Sequence, residues 1–397
     1  METQDQNTPF SDSILPTSEP GFLTVEGTRA QAHIFADELD AGFSGMLRAL
    51  CDAEIAAGSV IRIMPDVHAG KGCVIGTSLL THGKAAPGLL GGDIGCGMTS
   101  WRLKLKKQPD PGKLDKVIRA EIPSGMKIHS TPTGYPAEMD EALSTLRCAG
   151  HIQADKARRS IGTLGGGNHF IELGCNDRKQ YFLTVHTGSR HLGMEVADFY
   201  HKKAYEQHGD VPYEFAYATG ELLEDYLHDV QILQRYAQCN RQTILRNILS
   251  NMQWKQDGGE DAVIDCPHNF IELTGDGDGI LMRKGAIRAG KGEQILIPMN
   301  MRDGCLVCVG KGNADWNCSA PHGAGRLMTR ADARSAFTLT QYKKEMQGIF
   351  TTCVSRETID ESPMAYKPMR EIVGRIAPTA EIAFCIRPVY NFKAGGE

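Results

Sequence analysis

GGDIGCGM, at residues 91–98, sets one aspartate and one cysteine among four glycines. The glycines allow the backbone to bend so that Asp93 and Cys96 point into the same space. A cysteine that only fills a hydrophobic core needs no such loop, although a structural turn that buries its thiol is the simpler interpretation. The other glycine-rich segments of the chain decide between a binding loop and a structural turn.

Glycine is enriched along the chain, with 44 glycines among 397 residues, against an average of about 7%. The glycines gather between short apolar runs that predict strands. These predicted strands lie at 60–64, 73–80, 101–107, 181–185, 293–297 and 305–309. Helices are predicted over 138–152 and within 216–252, where apolar residues recur every three or four positions.

The expected fold class is α/β in the broad sense (α+β). It is a single large mixed domain over residues 21–397, with a strand-rich core and glycine-rich loops. The predicted strands do not alternate strictly with helices, which argues against a doubly wound sheet. Residues 1–20 are polar and are expected to form a flexible N-terminal arm.

The net charge of −5 argues against a protein that binds nucleic acid over its whole surface. It leaves room for a local basic groove, for which 283–302 is the candidate, with a solvated charged face as an equal alternative. No apolar run approaches the roughly 20 residues that span a bilayer, so no membrane partner is expected. The first twenty residues lack the basic and apolar regions of a signal peptide.

The chain has twelve cysteines. Without a secretion signal, reduced thiols are expected, some of them metal ligands, and the localisation expected is cytoplasmic. Simple packing is expected for the cysteines in apolar surroundings, which are Cys51, Cys148, Cys239, Cys353 and Cys385.

Five of the thirteen histidines stand at the end of apolar runs, in turns marked by glycine, proline or asparagine. They are His68, His169, His186, His268 and His322. Two of them belong to a pair of similar segments, NHFIEL at 168–173 and HNFIEL at 268–273. Together with Asp66, Asp93 and Cys96 these histidines form a set suited to Mn, Zn, Fe or Co. The spacing leaves open whether a metal site exists, because the residues are dispersed.

Taken together, these motifs resemble one family, the RtcB-type RNA-splicing ligases. The matching segments, in the order found in the family, are MPDVHAGKG (64–72), GGDIGCGM (91–98), GTLGGGNHFIE (162–172), HTGSR (186–190), HNFIE (268–272), RKGA (283–286), HGAGR (322–326), MAYK (364–367) and Lys393. They cover about 60–393, which implies an RtcB-like fold for most of the chain.

The resemblance implies an RNA ligase that uses GTP and two Mn²⁺ ions. It would join RNA 3′-phosphate or 2′,3′-cyclic phosphate ends to 5′-hydroxyl ends through a histidine–GMP intermediate, in RNA repair or tRNA splicing. Cys96 is implied to bridge the two ions, Asp93 and His169 to complete one, and His186 and His268 to complete the other. His322 is implied as the catalytic nucleophile.

Further residues carry implied contacts with substrates. The implied nucleotide-binding residues are Asn168, Glu172, Asn269, Pro298, Met299, Asn300, Met301, Cys305, Gly323, Ala324, Gly325, Tyr366 and Lys393. Lys71 and Arg190 are candidates for contacts with RNA phosphates, with bracing of a glycine loop as the alternative. The expected partners are GTP and RNA with broken ends, either tRNA or another structured RNA. Participation of an activating protein is left open.

Three positions depart from the family pattern and indicate a divergent paralogue. Residues 298–301 read PMNM where the family has a PGSM-like turn, Cys305 stands where a serine is usual, and Pro321 replaces a serine before His322. These changes concern the nucleotide pocket more than the metal ligands. They leave an alternative function possible, that of a metal-dependent phosphohydrolase that opens cyclic phosphates without efficient ligation. A non-enzymatic RNA- or nucleotide-binding factor is the third alternative.

Overall fold

The structure, a computed structural model, describes residues 21–275 and 278–394, so the expected N-terminal arm over residues 1–20 lies outside the described residues. The described helices are α1 (Ala41–Asp52), α2 (Pro87–Leu90), α3 (Pro111–Glu121), α4 (Ala137–Ser144), α5 (Ala154–Ser160), α6 (Arg190–Gln207), α7 (Gly220–Met252), α8 (Arg330–Ala336), α9 (Leu339–Glu345) and α10 (Met369–Ile376). The first eight described strands are β1 (Leu23–Glu26), β2 (Gln31–Ile34), β3 (Val60–His68), β4 (Ile75–His82), β5 (Gly97–Lys104), β6 (Phe170–Cys175), β7 (Tyr181–Thr187) and β8 (Lys255–Gln256). The remaining strands are β9 (Val263–Pro267), β10 (Asn269–Leu273), β11 (Gly279–Lys284), β12 (Ala286–Arg288), β13 (Gln294–Asn300), β14 (Gly304–Gly310), β15 (Ser319–Pro321) and β16 (Ala380–Lys393).

The strands form two large sheets and one short pair. The six-stranded sheet has the order β1-β2-β3-β4-β11-β10. The eight-stranded sheet runs β13-β14-β16-β6-β7-β5-β8, with β9 paired to β5. Strand β12 pairs with β15. Among the described strands only β2 and β3 pair in parallel, which agrees with a fold that is not doubly wound.

Helix α7 connects the two large sheets, because it packs against β5 and β7 of one and β10 of the other. Its first half, with Leu233 and Tyr236, belongs to the hydrophobic core beneath the six-stranded sheet. Its second half, from Ile244 onward, packs into a separate core with α3, β6 and β7. A third core fills the space between β13, β14 and the first half of β16. The ends of strands from both sheets therefore meet along one helix.

The predicted strands are all present, several of them longer than their apolar runs. Strand β3 extends to His68, and β5 begins at Gly97, directly after Cys96. The helix predicted within 216–252 is confirmed as α7. The FIEL segments are strands in different sheets, β6 and β10. The sequence did not indicate β16, whose 14 residues pair first with β14 and then with β6.

The helix predicted over 138–152 was too long, since α4 ends at Ser144. The Thr145 hydroxyl donates to the carbonyl of Ala142 at 2.8 Å, which competes with continued helical bonding. The backbone N–H groups of Arg147 and Cys148 donate instead to the carboxylate of Asp229 on α7, at 2.8 and 3.1 Å. A contact 82 positions away along the chain thus ends the helix.

The fold class is confirmed as a single, mixed, strand-rich α/β domain. Among the described residues, no helix is both long enough and apolar enough to cross a membrane.

Candidate active site

The 91–98 loop reaches the centre of the molecule because two glycines permit close contacts. Gly95 has φ +74° and lies against α7, where an added Cβ would be 2.8 Å from the Cβ of Ala237. Gly188, which follows β7, faces the same loop, and a Cβ there would be 2.4 Å from Asp93 Oδ1. The cysteine therefore stands where helix α7 and the end of β7 converge.

Three histidine rings surround Cys96. Its Sγ lies 3.4 Å from His186 Nε2 and 3.5 Å from His169 Nε2, while the Nε2 atoms of His186 and His268 are 3.3 Å apart. The candidate ligand atoms form two groups, each within 4.8 Å, that share Cys96. One group is Cys96, His186 and His268, and the other is Asp93, Cys96 and His169. The structure thus brings together all five residues named from the sequence as metal ligands.

The three histidines lie at or next to the ends of strands. His169 precedes β6, His186 lies on β7, and His268 lies between β9 and β10. The Nδ1 atom of His169 is 2.9 Å from the carbonyl oxygen of Leu164, and that bond leaves Nε2 as the nitrogen that faces the sulfur. His268 Nδ1 is buried without a hydrogen-bond partner among the described residues. The backbone N–H of His268 donates to the carbonyl of Cys96 at 2.8 Å.

Burial changes the pKa values of the residues in this cluster. Burial lowers the pKa of His169, and burial with neighbouring histidines lowers the pKa values of His186 and His268 well below the usual value, so the imidazoles are neutral. Burial, with the charge of Asp93, raises the pKa of the Cys96 thiol well above its usual value. Neutral imidazole nitrogens, sulfur and carboxylate converging in one buried place fit a divalent transition metal.

His322 stands beside this cluster and is held by a buried carboxylate. Its Nδ1 lies 2.6 Å from Asp66 Oδ2, and the backbone N–H groups of His322 and Gly323 donate to the same oxygen at 3.1 and 3.2 Å. Because Oδ2 already accepts from two backbone N–H groups, Nδ1 is the ring nitrogen placed to donate to it, and Nε2 is the other ring nitrogen. The ring centroid of His322 is 4.9 Å from that of His268.

Two members of the histidine and acid set predicted from the sequence belong to this second arrangement. Asp66 is fully buried and orients His322, and neither it nor His68 belongs to the two candidate ligand groups. The Nδ1 of His68 lies 2.7 Å from the carbonyl oxygen of Asp66, and its ring stacks 5.9 Å from His322. Burial and the neighbouring His322 lower the pKa of His68 to about 4. The sequence pattern could not separate these residues from metal ligands.

A cavity of about 1020 Å³ opens beside His322. It is lined by eleven of the thirteen residues implied in nucleotide binding, namely Asn168, Glu172, Asn269, Pro298, Met299, Asn300, Met301, Gly323, Gly325, Tyr366 and Lys393. The other two, Cys305 and Ala324, are buried in the core around β13 and β14 and are absent from that lining. Burial and the nearby Glu172 raise the pKa of the Cys305 thiol well above its usual value.

A buried glutamate joins the two ends of the motif pattern. Glu361 accepts hydrogen bonds from the Tyr366 hydroxyl at 2.6 Å and from the ammonium of Lys393, and it pairs with Arg326 and Arg330. Burial alone would raise its pKa, but the charges of Lys393 and Arg330 hold the pKa of Glu361 at about 2. Sequence reasoning missed this residue. Its only signal was an acid five positions before Tyr366.

Glu172 lines the cavity and differs from Glu361 in its pKa, although both carboxyl groups are buried. Burial raises the pKa of Glu172 to about 8, because its bond from Asn391 Nδ2 at 2.9 Å and the more distant Lys393 offset only part of the desolvation. Asn300 is engaged in its own turn, since its Oδ1 accepts from the backbone of Arg302 and Asp303.

The two candidate RNA contacts lie in different surroundings. Lys71 is exposed, and its carbonyl accepts from the Lys284 ammonium at 2.6 Å. Arg190 is half-buried and donates to the carbonyl of Gly125 at 3.1 Å. Two arginines of the basic stretch 283–302 face acidic side chains, since Arg283 is buried against Glu272 and Arg288 pairs with Glu272 and Glu293.

Comparison with known proteins gives one consistent family. The family model described as "tRNA-splicing ligase RtcB" matches residues 53–394. The RNA-splicing ligase RtcB of Escherichia coli K12 is 30% identical over 366 residues, covering 84% of this chain and 90% of that protein. The tRNA-splicing ligase RtcB of Aeropyrum pernix is 28% identical over 405 residues, covering 80% of this chain and 83% of that protein.

Proposed function

Because this chain belongs to the RtcB family of tRNA-splicing ligases, we propose that it is an RNA ligase that uses GTP and manganese. It joins RNA 3′-phosphate or 2′,3′-cyclic phosphate ends to 5′-hydroxyl ends, in RNA repair or tRNA splicing. The observation that carries this proposal is the placement of His322. A carboxylate fixes its Nδ1, and its ring lies next to a cluster of metal-type ligands on the wall of a large cavity.

The residues that would hold two manganese ions are the two groups that share Cys96. Asp93, Cys96 and His169 form the first group, and Cys96, His186 and His268 the second. When bound, Mn²⁺ reduces the negative charge on the phosphates and so favours attack at phosphorus. Cys96 stands in both groups, and a thiolate sulfur has lone pairs enough to contact two cations.

His322 is the proposed nucleophile. Its Nε2 lone pair attacks the α-phosphorus of GTP, a P–N bond forms, and the P–O bond to the β-phosphate breaks as pyrophosphate leaves. The ring gains positive charge during this step, and Asp66 stabilises that charge through the 2.6 Å contact with Nδ1. Asp66 also sets the tautomer, because a proton held at Nδ1 keeps Nε2 free to attack.

The later steps transfer GMP and release it. An oxygen of the RNA 3′-phosphate attacks the phosphorus on His322, so the P–N bond breaks and the RNA end becomes activated. The 5′-hydroxyl of the second RNA end then attacks the phosphorus of the activated 3′-phosphate and gives its proton to solvent, a phosphodiester forms, and the P–O bond to GMP breaks. A 2′,3′-cyclic phosphate end first adds water across one P–O bond, which gives the 3′-phosphate and a 2′-hydroxyl. Lys71 and Arg190 are the proposed contacts with RNA phosphates, as cationic side chains are the usual partners of the backbone.

The nucleotide is proposed to lie in the cavity between His322 and the Glu361 network. Glu361 holds Tyr366 and Lys393 in fixed positions at the cavity wall. Buried Glu172, whose pKa is raised to about 8, contributes a carboxyl group that can donate or accept near neutral pH. A reducing compartment such as the cytoplasm agrees with the twelve cysteines, none of which is paired with another.

An RNA joining assay tests this proposal. An RNA with a 2′,3′-cyclic phosphate on one end and a 5′-hydroxyl on the other is incubated with the protein, GTP and Mn²⁺. A joined product that disappears in His322→Ala supports the ligase. Conversion of the cyclic phosphate to a 3′-phosphate without joining would support the phosphohydrolase instead. RNA binding without either reaction would indicate the non-enzymatic factor.

A further inference from the structure

Two polar residues interrupt the apolar face of α7 at the junction of two cores. Asn240 and Arg241 follow the buried Ala237 and precede the buried Ile244, at positions where the helical rhythm would place core residues. Asn240 is fully buried and Arg241 is 1% exposed. Burying an arginine and an asparagine is costly unless every polar atom finds a partner, so their partners indicate what the pair does.

Asn240 uses all of its hydrogen-bonding groups on two loops. Its Oδ1 accepts from the backbone N–H groups of Gly162 and Thr163 at 2.8 and 3.1 Å. Its Nδ2 donates to the carbonyls of Thr163 and Gly188, each at 3.1 Å. The first loop leads to His169, and Gly188 lies two residues beyond His186.

Arg241 uses its guanidinium on the segment of Gly188 and on two further segments. Nη1 donates to the carbonyl of Gly95 at 2.9 Å and to the carbonyl of Thr187 at 3.2 Å. Nη2 donates to both carboxylate oxygens of Asp265, and Nε donates to Thr99 Oγ1 at 2.8 Å. Gly95 precedes Cys96, Thr187 follows His186, and Asp265 stands three residues before His268.

We propose that Asn240 and Arg241 are the positioning residues of the metal centre, which set the spacing of its ligand-bearing segments. This inference rests on the proposed function, since it takes the Cys96 cluster to be a metal centre. The two adjacent side chains contact the segments that carry Cys96, His169, His186 and His268. These segments adjoin β5, β6, β7 and β9 of the eight-stranded sheet, and His268 leads directly into β10 of the six-stranded sheet. Helix α7 packs against strands of both sheets.

The contrast with Asp229 separates this role from general stabilisation. Asp229 lies on the same helix and is also fully buried, and it accepts from Arg147, Cys148 and Tyr200. None of these partners belongs to a ligand-bearing segment. Loss of its bonds lowers stability without a direct effect on the spacing of Cys96 and the histidines. Asp229→Asn is therefore the matched control.

The experiment measures the binding of Mn²⁺ to metal-free protein by titration calorimetry for wild type, Asn240→Asp, Arg241→Lys and Asp229→Asn. Asn240→Asp keeps the size of the side chain and removes both donated bonds. Arg241→Lys keeps the charge and removes the fork that reaches Gly95 and Thr187 together. The melting temperature of each metal-free protein is measured alongside, and the absorption of the thiolate–Co²⁺ complex reports the coordination geometry.

We expect Mn²⁺ binding to weaken by about 10- to 100-fold in both variants, as is typical when partners of metal ligands are lost. We also expect an altered Co²⁺ spectrum, and wild-type binding by Asp229→Asn. Wild-type affinity and spectrum in Asn240→Asp and Arg241→Lys would overturn the inference. The inference would also be overturned if Asp229→Asn lost as much Mn²⁺ affinity as the other two variants for the same fall in melting temperature. Failure of the wild type itself to bind Mn²⁺ would instead remove the proposed function, and this inference with it.

Discussion

Replacing Asp66 by asparagine tests how the structure prepares His322. The substitution keeps the shape of the side chain and leaves one oxygen to accept from the backbone N–H groups of His322 and Gly323. It removes the negative charge at the 2.6 Å contact with Nδ1. A hydrogen bond to a charged group contributes about 1.5–3 kcal/mol, which corresponds to roughly 10- to 100-fold in rate. The remaining oxygen still accepts from Nδ1, because Oδ2 alone makes all three of these contacts, so the loss is that of the charge.

We therefore expect formation of the covalent GMP adduct to slow by about 10- to 100-fold in Asp66→Asn. The assay is single-turnover labelling with radioactive GTP at saturating Mn²⁺, with melting temperature measured in parallel. Asp229→Asn is the control, since Asp229 is also buried and also contacts two backbone N–H groups and a histidine Nδ1. Labelling of Asp66→Asn at the wild-type rate would refute the orientation of His322 by Asp66.

Three further predictions follow from the same contacts. Cys96→Ser is expected to weaken Mn²⁺ binding and to abolish labelling by GTP, with little change in melting temperature. Calorimetry and labelling of the same preparation measure both properties. Loss of only one of them would contradict the role of Cys96 as a ligand shared by both metal groups. Glu361→Gln lowers the free energy of unfolding at pH 7 by about 3 kcal/mol, because the folded pKa is about 2 against 4.5 for the free group. Because the pKa of Glu361 is lowered in the folded state, its stabilising effect is complete above pH 4.5 and is lost as the pH falls towards 2. Urea unfolding at several pH values should therefore show the free-energy difference between wild type and Glu361→Gln shrinking at low pH, and a constant difference would contradict the prediction. Gly95→Ala lowers stability by about 2 kcal/mol or more, since φ is +74° and the new Cβ meets Ala237, whereas Gly83→Ala, with φ +61° and open space, loses only the smaller backbone part.

Local patterns were sufficient for much of the fold. Apolar runs predicted strands such as β3, β7 and β14, and the helical rhythm predicted α7. The end of α4 was not predictable from local sequence. The backbone N–H groups of Arg147 and Cys148, which follow the helix, donate to Asp229 of α7, 82 positions after Arg147. Strand β16 was missed because its pairing changes midway from β14 to β6, which no local pattern records.

For the candidate site too, local patterns were informative and long-range contacts were not predictable. Turns marked by glycine, proline or asparagine pointed to Cys96 and the four residues around it, and the resemblance to a family divided the five into two groups. The sequence placed Asp66 among possible metal ligands and did not indicate its contact with His322, which lies 256 positions away. Glu361 and the Asn240–Arg241 pair act through long-range bonds as well. The one available sign of the pair was polarity on the buried face of α7.

The most direct test of the whole account is to locate the GMP adduct. Wild-type protein is incubated with GTP and Mn²⁺, digested, and its peptides are analysed by mass spectrometry. We expect one GMP on the peptide that contains His322, its release when RNA with a 3′-phosphate is added, and its absence in His322→Ala. An adduct on another residue, or joined RNA from a protein that never carries GMP, would contradict the account.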